Sequence, residues 1–281
     1  MLRKLYYLLT PSQRLIARRL FYLPIDIFDL ITGKRNKIMP PKGLIFIGGG
    51  DFVKKGKNIL KLIIHHTGLK PDHRILDIGS GIGRLAFPLT EYLNNEGSYE
   101  GFDIVKKGVD WCNKHITMTY PNFKFFHIDL KNNLYNLKTE NKAENFVFPY
   151  PDNDFDRIAL VSVFTHMMPN DVDNYLSQIN RVMKPNGKCF ATFFIINENV
   201  KEIIQKPDFD GFRFSYNYGN YYLLDKNVEE ADIAYDENYL HELLSKNNLK
   251  VEAIVRGWWT GGNRDDNSDF QDIVVIGKKL F

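Results

Sequence analysis

Three aspartates and a glycine-rich turn are the residues whose types and spacing could bind a ligand. Asp77 interrupts an apolar run and begins the segment Asp77-Ile-Gly-Ser-Gly-Ile-Gly83, while Asp103 and Asp129 each follow a further short apolar stretch. A buried carboxylate needs a partner, and glycines let the backbone approach a ligand closely. A glycine turn alone also serves ordinary connections between strands and helices. The three acids together favour a ligand that carries ribose hydroxyls and an amine.

Strands must bring these acids to one edge of a sheet. Apolar patterning predicts four strands at 75–78, 98–102, 123–128 and 156–163. Crossover helices are predicted between them at 84–94 and 106–120. This alternation is typical of a doubly wound parallel sheet, in which the strand ends line a ligand-binding crevice.

The rest of the chain continues the alternation of strands and helices, except for one insertion at 198–235. A helix at 169–184, a strand at 188–196, a helix at 236–247 and a final pair of strands at 250–259 and 270–278 are predicted. Residues 198–235 form an insertion that we expect to cap the crevice. Its aromatic residues either contact a sugar or another flat acceptor, or form a small core of the cap itself: Phe209, Phe212, Phe214, Tyr216, Tyr218, Tyr221, Tyr222 and Tyr235.

The motifs resemble those of class I S-adenosylmethionine-dependent methyltransferases. The resemblance is strong over about residues 55–197 and rests on six segments: 77–83, 101–103, 127–129, 148–155, 163–167 and 182–188. It implies S-adenosyl-L-methionine as the cofactor. It also implies an α/β fold with a doubly wound seven-stranded sheet whose last hairpin is antiparallel.

The resemblance further implies a cofactor site on the glycine turn and at the strand ends. The turn would pass under the methionine part, with Asp77 near its amino group. Asp103 would take the ribose hydroxyls and Asp129 the adenine amine. The implied cofactor-binding residues are Asp77, Gly79, Ser80, Gly81, Gly83, Asp103, Ile104, Asp129, Leu130 and Val163.

His166 is the candidate catalytic residue. It lies just beyond the fourth predicted strand, at the edge where the crevice should open. An imidazole can accept a hydroxyl proton near neutral pH. Alternatively, His166 caps the helix that begins near Pro169, or closes the pocket without acid–base work.

The acceptor is predicted to be a small molecule or a glycan, methylated at a hydroxyl oxygen. Ser162-Val-Phe-Thr165 is not the Asn/Asp-Pro-Pro-Tyr type of motif found in adenine amino-methyltransferases, and no Pro-Cys follows this strand. Residues 41–281 carry a net charge of −3, which gives no nucleic-acid footprint. We therefore expect no nucleic-acid partner.

Two other functions are open from the sequence. An NAD(P)-dependent oxidoreductase also has a glycine turn and a ribose acid, but Asp77 and the closing hairpin disfavour it. A non-catalytic S-adenosylmethionine-binding protein is disfavoured by the retention of all three aspartates. Titration with the two cofactors distinguishes a methyltransferase from an oxidoreductase. A methyl-release assay over candidate acceptors distinguishes an enzyme from a non-catalytic binding protein.

Residues 1–40 differ in charge from the rest of the chain. They hold eight Lys or Arg against Asp26 and Asp29, a net charge of +6. We expect a basic helical extension at 1–40 before a methyltransferase domain at 41–281. One helix should begin after Thr10 and end at Pro24, with a second short helix at 25–31. This extension either packs on the domain or makes a peripheral contact with an anionic membrane.

The remaining predictions concern the glycine cluster at 48–50, the two cysteines and the location of the protein. Gly48-Gly-Gly50 either lets the backbone lie over the cofactor pocket or forms a simple turn. Cys112 and Cys189 offer neither a disulfide framework nor a metal-ligand spacing, and no metal is predicted. The chain has no evident signal peptide and no apolar run long enough for a membrane span. A cytoplasmic protein is expected, and the oligomeric state is left open.

Overall fold

The fold is a doubly wound α/β sheet with a second small sheet beside it. The structure is a computed structural model that describes residues 10–132 and 135–279. Eleven strands lie in the described part of the chain: β1 Arg74–Ile78, β2 Ser98–Asp103, β3 Phe123–His127, β4 Phe155–Leu160, β5 Met183–Phe193, β6 Ile195–Ile196, β7 Tyr216–Asn217, β8 Tyr221–Leu223, β9 Ile233–Asp236, β10 Leu249–Val255 and β11 Asp272–Lys278.

The main sheet has the strand order β10-β11-β5-β4-β1-β2-β3. Its strands pair in parallel, except that β11 is antiparallel to both β5 and β10. The chain order reverses at β1, so a crevice opens beside the carboxyl ends of β1 and β4. The predicted fold class, with its antiparallel closing hairpin, is confirmed.

Helices cover both faces of this sheet. The α-helices of the described residues are α1 Pro11–Ile31, α2 Phe52–Thr67, α3 Ala86–Tyr92, α4 Lys106–Cys112, α5 Pro169–Val182, α6 Glu198–Gln205 and α7 Glu237–Lys246. Successive side chains of β1 alternate between the two faces. Ile75 packs with α2, α3 and α4, whereas Leu76 and Ile78 pack with α5 and α7. No helix among the described residues is long and apolar enough to cross a membrane.

Among the described residues of the N-terminal extension, one helix spans Pro11–Ile31, so the predicted end at Pro24 is wrong. An interior proline removes a hydrogen bond and costs ~3 kcal/mol. Contacts on both sides of Pro24 hold α1 against the following segment. Arg18 donates from Nε to the carbonyl oxygen of Lys42 at 3.2 Å, and the Asp26 carboxylate accepts the N–H groups of Lys42 and Gly43 at 2.7 and 2.9 Å. The division into 1–40 and 41–281 remains a prediction.

The fourth strand is shorter than predicted. β4 ends at Leu160, and Ser162 adopts a φ of +56°. A left-handed backbone at a non-glycine residue ends the ladder because it turns the chain away from its neighbours. Val163 therefore lies in a loop at the crevice rather than on the strand. A 3₁₀ turn at Phe164–His166 follows, before α5 begins.

The insertion at 198–235 contains α6, β7, β8 and the first part of β9. A four-stranded sheet forms with the order β6-β9-β8-β7. Four of its eight aromatic side chains pack into a separate small core. Phe214 and Tyr222 are buried there with Phe194 and Trp259, and Phe209 and Phe212 pack against them. The insertion is thus held together by its own aromatic core, which is one of the two predicted alternatives.

Candidate active site

A cavity of about 1180 Å³ opens at the carboxyl ends of β1, β2 and β4. The glycine turn after β1 and the loop after β4 form its floor. Residues 46–48 and one side of α2 line it from the N-terminal side, and residues 258–271 line it from the closing hairpin. The backbone before α2 therefore lies over the pocket at Gly48. This agrees with the first of the two alternatives given for Gly48–Gly50, backbone over the pocket rather than a simple turn.

Seven of the ten implied cofactor residues line this cavity. They lie on the glycine turn, at the ends of β2 and β3, and in the loop after β4: Asp77, Gly79, Ser80, Asp103, Ile104, Leu130 and Val163. The other three, Gly81, Gly83 and Asp129, are not among the lining residues. Cofactor contacts of all ten remain predictions.

Asp77 is the most deeply buried acid of the site. It pairs in register with Gly101 and Ala159 in the centre of the sheet, where its side chain accepts a 2.7 Å hydrogen bond from the Tyr99 hydroxyl. Burial raises the pKa of Asp77 to about 7, opposed by the Tyr99 hydrogen bond and reinforced by the negative charge of Asp103. A buried carboxyl of this kind favours a cationic partner. The ammonium group of an amino-acid ligand would supply that charge.

Asp103 holds the glycine turn in place. One carboxylate oxygen accepts the N–H of Gly81 and the other accepts the N–H of Val105, each at 2.7 Å. Burial raises the pKa of Asp103 to about 6, although these two hydrogen bonds act in the opposite direction. Each carboxylate oxygen has a further lone pair. Asp103 can therefore accept hydroxyl groups of a ligand while it fixes the turn.

Gly79 needs to be glycine for two reasons. Its φ is +76°, and a Cβ atom at this position would lie 2.4 Å from Cγ2 of Val163. Residue 79 thus packs against the loop after β4 with no space for a side chain. Gly83 has a structural role of the same kind, since a Cβ there would lie 3.0 Å from Sγ of Cys112. Only Gly79 of this pair faces the cavity.

Ser80 lines the cavity and has an unsatisfied buried hydroxyl. Its side chain is buried, and its Oγ has no hydrogen-bond partner among the described residues. An orphaned buried hydroxyl costs ~1–3 kcal/mol unless a ligand or water completes it. With the glycine cradle and the two buried acids, this group fits a polar cofactor such as S-adenosyl-L-methionine.

Asp129 lies outside the cavity. Its side chain is exposed and accepts a 3.0 Å hydrogen bond from Nδ2 of Asn136. The next residue, Leu130, is buried and lines the cavity. The proposed adenine contact of Asp129 therefore has no geometric support in this structure, although its neighbour is well placed.

His166 lies at the cavity with a fixed ring orientation. Its Nδ1 is 3.0 Å from the carbonyl oxygen of Glu230. The Tyr135 ring packs edge-on against it, with 6.1 Å between ring centroids, and Asn132 donates to its carbonyl oxygen. His166 thus contacts the turn between β8 and β9 and the loop after β3, which sequence spacing could not indicate.

Two groups of cavity residues were not predicted. Gln271 on the closing hairpin accepts at Oε1 from the hydroxyls of Ser162 and Thr192, at 2.9 and 2.7 Å, and this network fixes the loop after β4. A row of lysines on α2 also lines the cavity: Lys54, Lys55, Lys57 and Lys61. The lysine row has helical spacing, but spacing alone cannot distinguish a cavity wall from a solvated face.

The aromatic insertion contributes little to the cavity. Only Ala231 and Asp232 of residues 198–235 line it, and the aromatic lining on this side comes from Trp258 and Phe270 of the closing hairpin. The prediction that the insertion's aromatic residues contact a sugar therefore lacks support, because none of the eight rings lines the cavity and four of them pack in the small core.

The family model and the relatives that this chain resembles are all methyltransferases. A family model described as a methyltransferase domain matches residues 75–187. The ubiquinone/menaquinone biosynthesis C-methyltransferase UbiE of Wigglesworthia glossinidia brevipalpis is 27% identical over 194 residues, which cover 68% of this chain and 70% of that protein. The tRNA N(3)-cytidine methyltransferase METTL2 of Gallus gallus is 25% identical over 130 residues, covering 43% of this chain but 30% of the relative.

A solved structure shows the same fold. The PH0226 protein from Pyrococcus horikoshii OT3 superposes with a TM-score of 0.54 at 16% identity, covering 84% of this chain and 95% of the other. The family-model match and the methyltransferase relatives support a class I S-adenosylmethionine-dependent methyltransferase, with S-adenosyl-L-methionine as its cofactor. The similar proteins are named for different roles, C-methylation in ubiquinone/menaquinone biosynthesis and methylation of a tRNA cytidine at N(3). The expectation that nucleic acid is excluded is therefore not supported.

Substitution of Asp103 by alanine should weaken binding of S-adenosylhomocysteine more than substitution of Asp129. The first change leaves at least one buried donor unpaired, at ~1–3 kcal/mol, so we expect about a tenfold loss of affinity. The second removes an exposed side chain and should change affinity less than about threefold. Isothermal titration calorimetry measures both, with thermal melting as the check on folding. If both variants bind S-adenosylhomocysteine as tightly as the parent, Asp103 does not contact the ligand.

Proposed function

We propose that this methyltransferase methylates a hydroxyl oxygen of a small molecule or glycan, with His166 as the general base. The observation that carries the proposal is the hydrogen bond between Nδ1 of His166 and the Glu230 carbonyl oxygen. A carbonyl oxygen only accepts, so Nδ1 carries a proton. In the neutral ring, Nε2 then keeps its lone pair and can accept the proton of an acceptor hydroxyl.

The dimensions of the cavity suit two ligands together. A small-molecule site is typically ~300–1,000 Å³, whereas this cavity measures about 1180 Å³. Asp77, Asp103 and Ser80 lie at the carboxyl ends of β1 and β2, while His166 belongs to the loop after β4. Cofactor and acceptor can therefore bind side by side with His166 at the acceptor.

The chain's part in the reaction is alignment and proton removal. When bound, S-adenosyl-L-methionine supplies a methyl group activated by its sulfonium. During methyl transfer, Nε2 of His166 would accept the proton of the acceptor hydroxyl. Positioned bases contribute ~10²–10⁴-fold, and alignment in a site shielded from water supplies more.

Hydrogen bonds from residues of the predicted cofactor site also hold the glycine turn in position. Asp103 fixes Gly81, and Arg84 donates from its guanidinium to the carbonyl oxygens of Ile47 and Gly48, which joins the turn to the segment over the cavity. These bonds hold the floor and one wall of the cavity in fixed relation. Such support favours a preorganised site rather than a passive pocket.

The acceptor class can be tested by methyl labelling. The full chain is incubated with S-adenosyl-L-methionine, tritiated in the methyl group, and with separate small-molecule, RNA and protein fractions of a cell extract. We expect label in a small-molecule product that resists nuclease and protease, and mass spectrometry should show an O-methyl group. Label confined to RNA or protein, or on carbon or nitrogen, would overturn the proposed acceptor.

A further inference from the structure

Helix α1 exposes nearly all of its large apolar side chains. We call these residues the apolar face of α1: Ile16, Leu20, Phe21, Leu23, Ile25, Ile27, Phe28, Leu30 and Ile31. Leu20, Phe21, Leu30 and Ile31 are 66–79% exposed. Single exposed apolar residues are ordinary, but a contiguous apolar surface of this length marks an interaction site.

The side of α1 that faces the protein is polar instead. Asp26 accepts hydrogen bonds from the backbone of Lys42 and Gly43, and Arg18 donates to the Lys42 carbonyl oxygen. Leu15 is the one large apolar residue of this helix that is buried among the described residues. A helix on a globular domain normally buries its apolar stripe. In α1 this pattern is inverted, so its apolar face is exposed to solvent.

The acids of α1 face the protein together with Arg18, whereas other basic residues in and just after the helix are exposed. Its two acids, Asp26 and Asp29, both face the segment at 42–44, where Asp29 lies 3.9 Å from Nζ of Lys42. Arg19, Lys34 and Lys37 are exposed, and Nζ of Lys34 lies 5.1 Å above the Phe28 ring beside the apolar face. The surface available to a partner is therefore apolar and bordered by positive charge.

We infer that α1 lies on an anionic lipid bilayer, with its apolar face in the boundary between headgroups and acyl chains. Amphipathic helices with basic borders bind such surfaces through buried apolar area and attraction to anionic lipids. Arg14, Arg18, Arg19, Asp26 and Asp29 lie within its 21 residues. Those five charges make it an interfacial helix rather than a membrane-spanning one.

A second copy of the chain fits this surface less well. Ile16, Leu20, Leu23, Ile27 and Leu30 follow the spacing of a coiled-coil seam. However, Phe21 and Phe28 extend the apolar surface well beyond such a narrow stripe, and Pro24 interrupts the helical hydrogen bonding. The width of the face and its basic border together favour a planar anionic surface.

The docking helix is physically joined to the active site. α1 packs on Lys42–Leu44, and the residues that follow, Phe46–Gly48, line the cavity. Arg84, at the end of the glycine turn, donates to the carbonyl oxygens of Ile47 and Gly48. A bilayer bound to α1 would therefore be connected through Lys42–Leu44 to the segment that covers the cofactor pocket. The docking inference does not depend on which acceptor is methylated.

Vesicle sedimentation with the full chain tests the inference. Vesicles of phosphatidylcholine are compared with vesicles that also contain phosphatidylglycerol. We expect the parent to sediment with the anionic vesicles and to be released by high salt. The double variant Leu20→Ser/Phe28→Ser should bind at least about tenfold more weakly, because it removes apolar area from the bilayer.

The controls separate docking from folding and from self-association. Met118→Ser/Val147→Ser is the matched control, since both side chains are exposed and apolar but lie outside α1. All variants should keep the parent's affinity for S-adenosylhomocysteine. Absence of vesicle binding by the parent, or equal binding by the α1 variant, would overturn the inference. A dimer in sedimentation velocity that the α1 variant dissociates, without vesicle binding, would assign the face to a second copy.

Discussion

Substitution of His166 by asparagine is expected to lower methyl transfer to the true acceptor by at least ~10²-fold. The asparagine amide can still donate to the Glu230 carbonyl oxygen, which now lies 3.0 Å from Nδ1. The loop after β4 should therefore keep its position. What is lost is the Nε2 lone pair, which we propose as the proton acceptor. Single-turnover measurement with labelled cofactor reports the transfer step itself.

The matched control for this variant is His241→Asn. His241 is exposed on α7 and does not line the cavity. Its substitution should leave the transfer rate unchanged. Affinity of the His166 variant for S-adenosylhomocysteine should stay within a few-fold of the parent, because the ring is placed on the acceptor side. Transfer at near the parent rate would show that His166 is not the base.

Affinity for S-adenosylhomocysteine should rise about 30-fold between pH 5.5 and pH 8. Burial raises the pKa of Asp77 to about 7, so this carboxyl is mostly protonated at pH 5.5 and mostly ionised at pH 8. Only the ionised form can pair with the ligand's ammonium group. Binding therefore releases a proton at the lower pH and weakens as pH falls through the pKa. Calorimetry in buffers of different ionisation enthalpy measures both quantities.

Asp77→Asn is the variant that isolates this effect. Its amide oxygen can still accept the hydrogen bond from the Tyr99 hydroxyl, which spans 2.7 Å in the parent. The variant should bind S-adenosylhomocysteine weakly and with a much smaller dependence on pH, since Asp103 alone remains to titrate near pH 6. An unchanged pH profile in Asp77→Asn would mean that another group controls binding.

The sequence was most informative where short-range patterns decide the structure. The run Ile75–Ile78 predicts β1 because it is apolar and short, and the glycines after it predict a tight turn. Asp103 follows β2 at the same edge, so topology alone brings it to Gly81. This is why the fold and most of the cavity floor could be predicted from local patterns.

Features that depend on tertiary contacts were not predictable in the same way. Pro24 predicts a helix end from local rules, yet bonds from Asp26 and Arg18 to the segment at 42–44 keep α1 continuous. Asp129 matches its motif, but its side chain bonds Asn136 outside the cavity. The contact of His166 with Glu230 joins residues 64 positions apart. No local pattern indicates such pairings.

A crystal structure of the chain with S-adenosylhomocysteine tests the central claim most directly. The account predicts that the ribose hydroxyls lie within hydrogen-bond distance of the Asp103 carboxylate and that the amino group lies beside Asp77. The sulfur should face the part of the cavity that holds His166. Ligand density outside the crevice between β1 and β4, or a ribose without contact to Asp103, would contradict this assignment of the site.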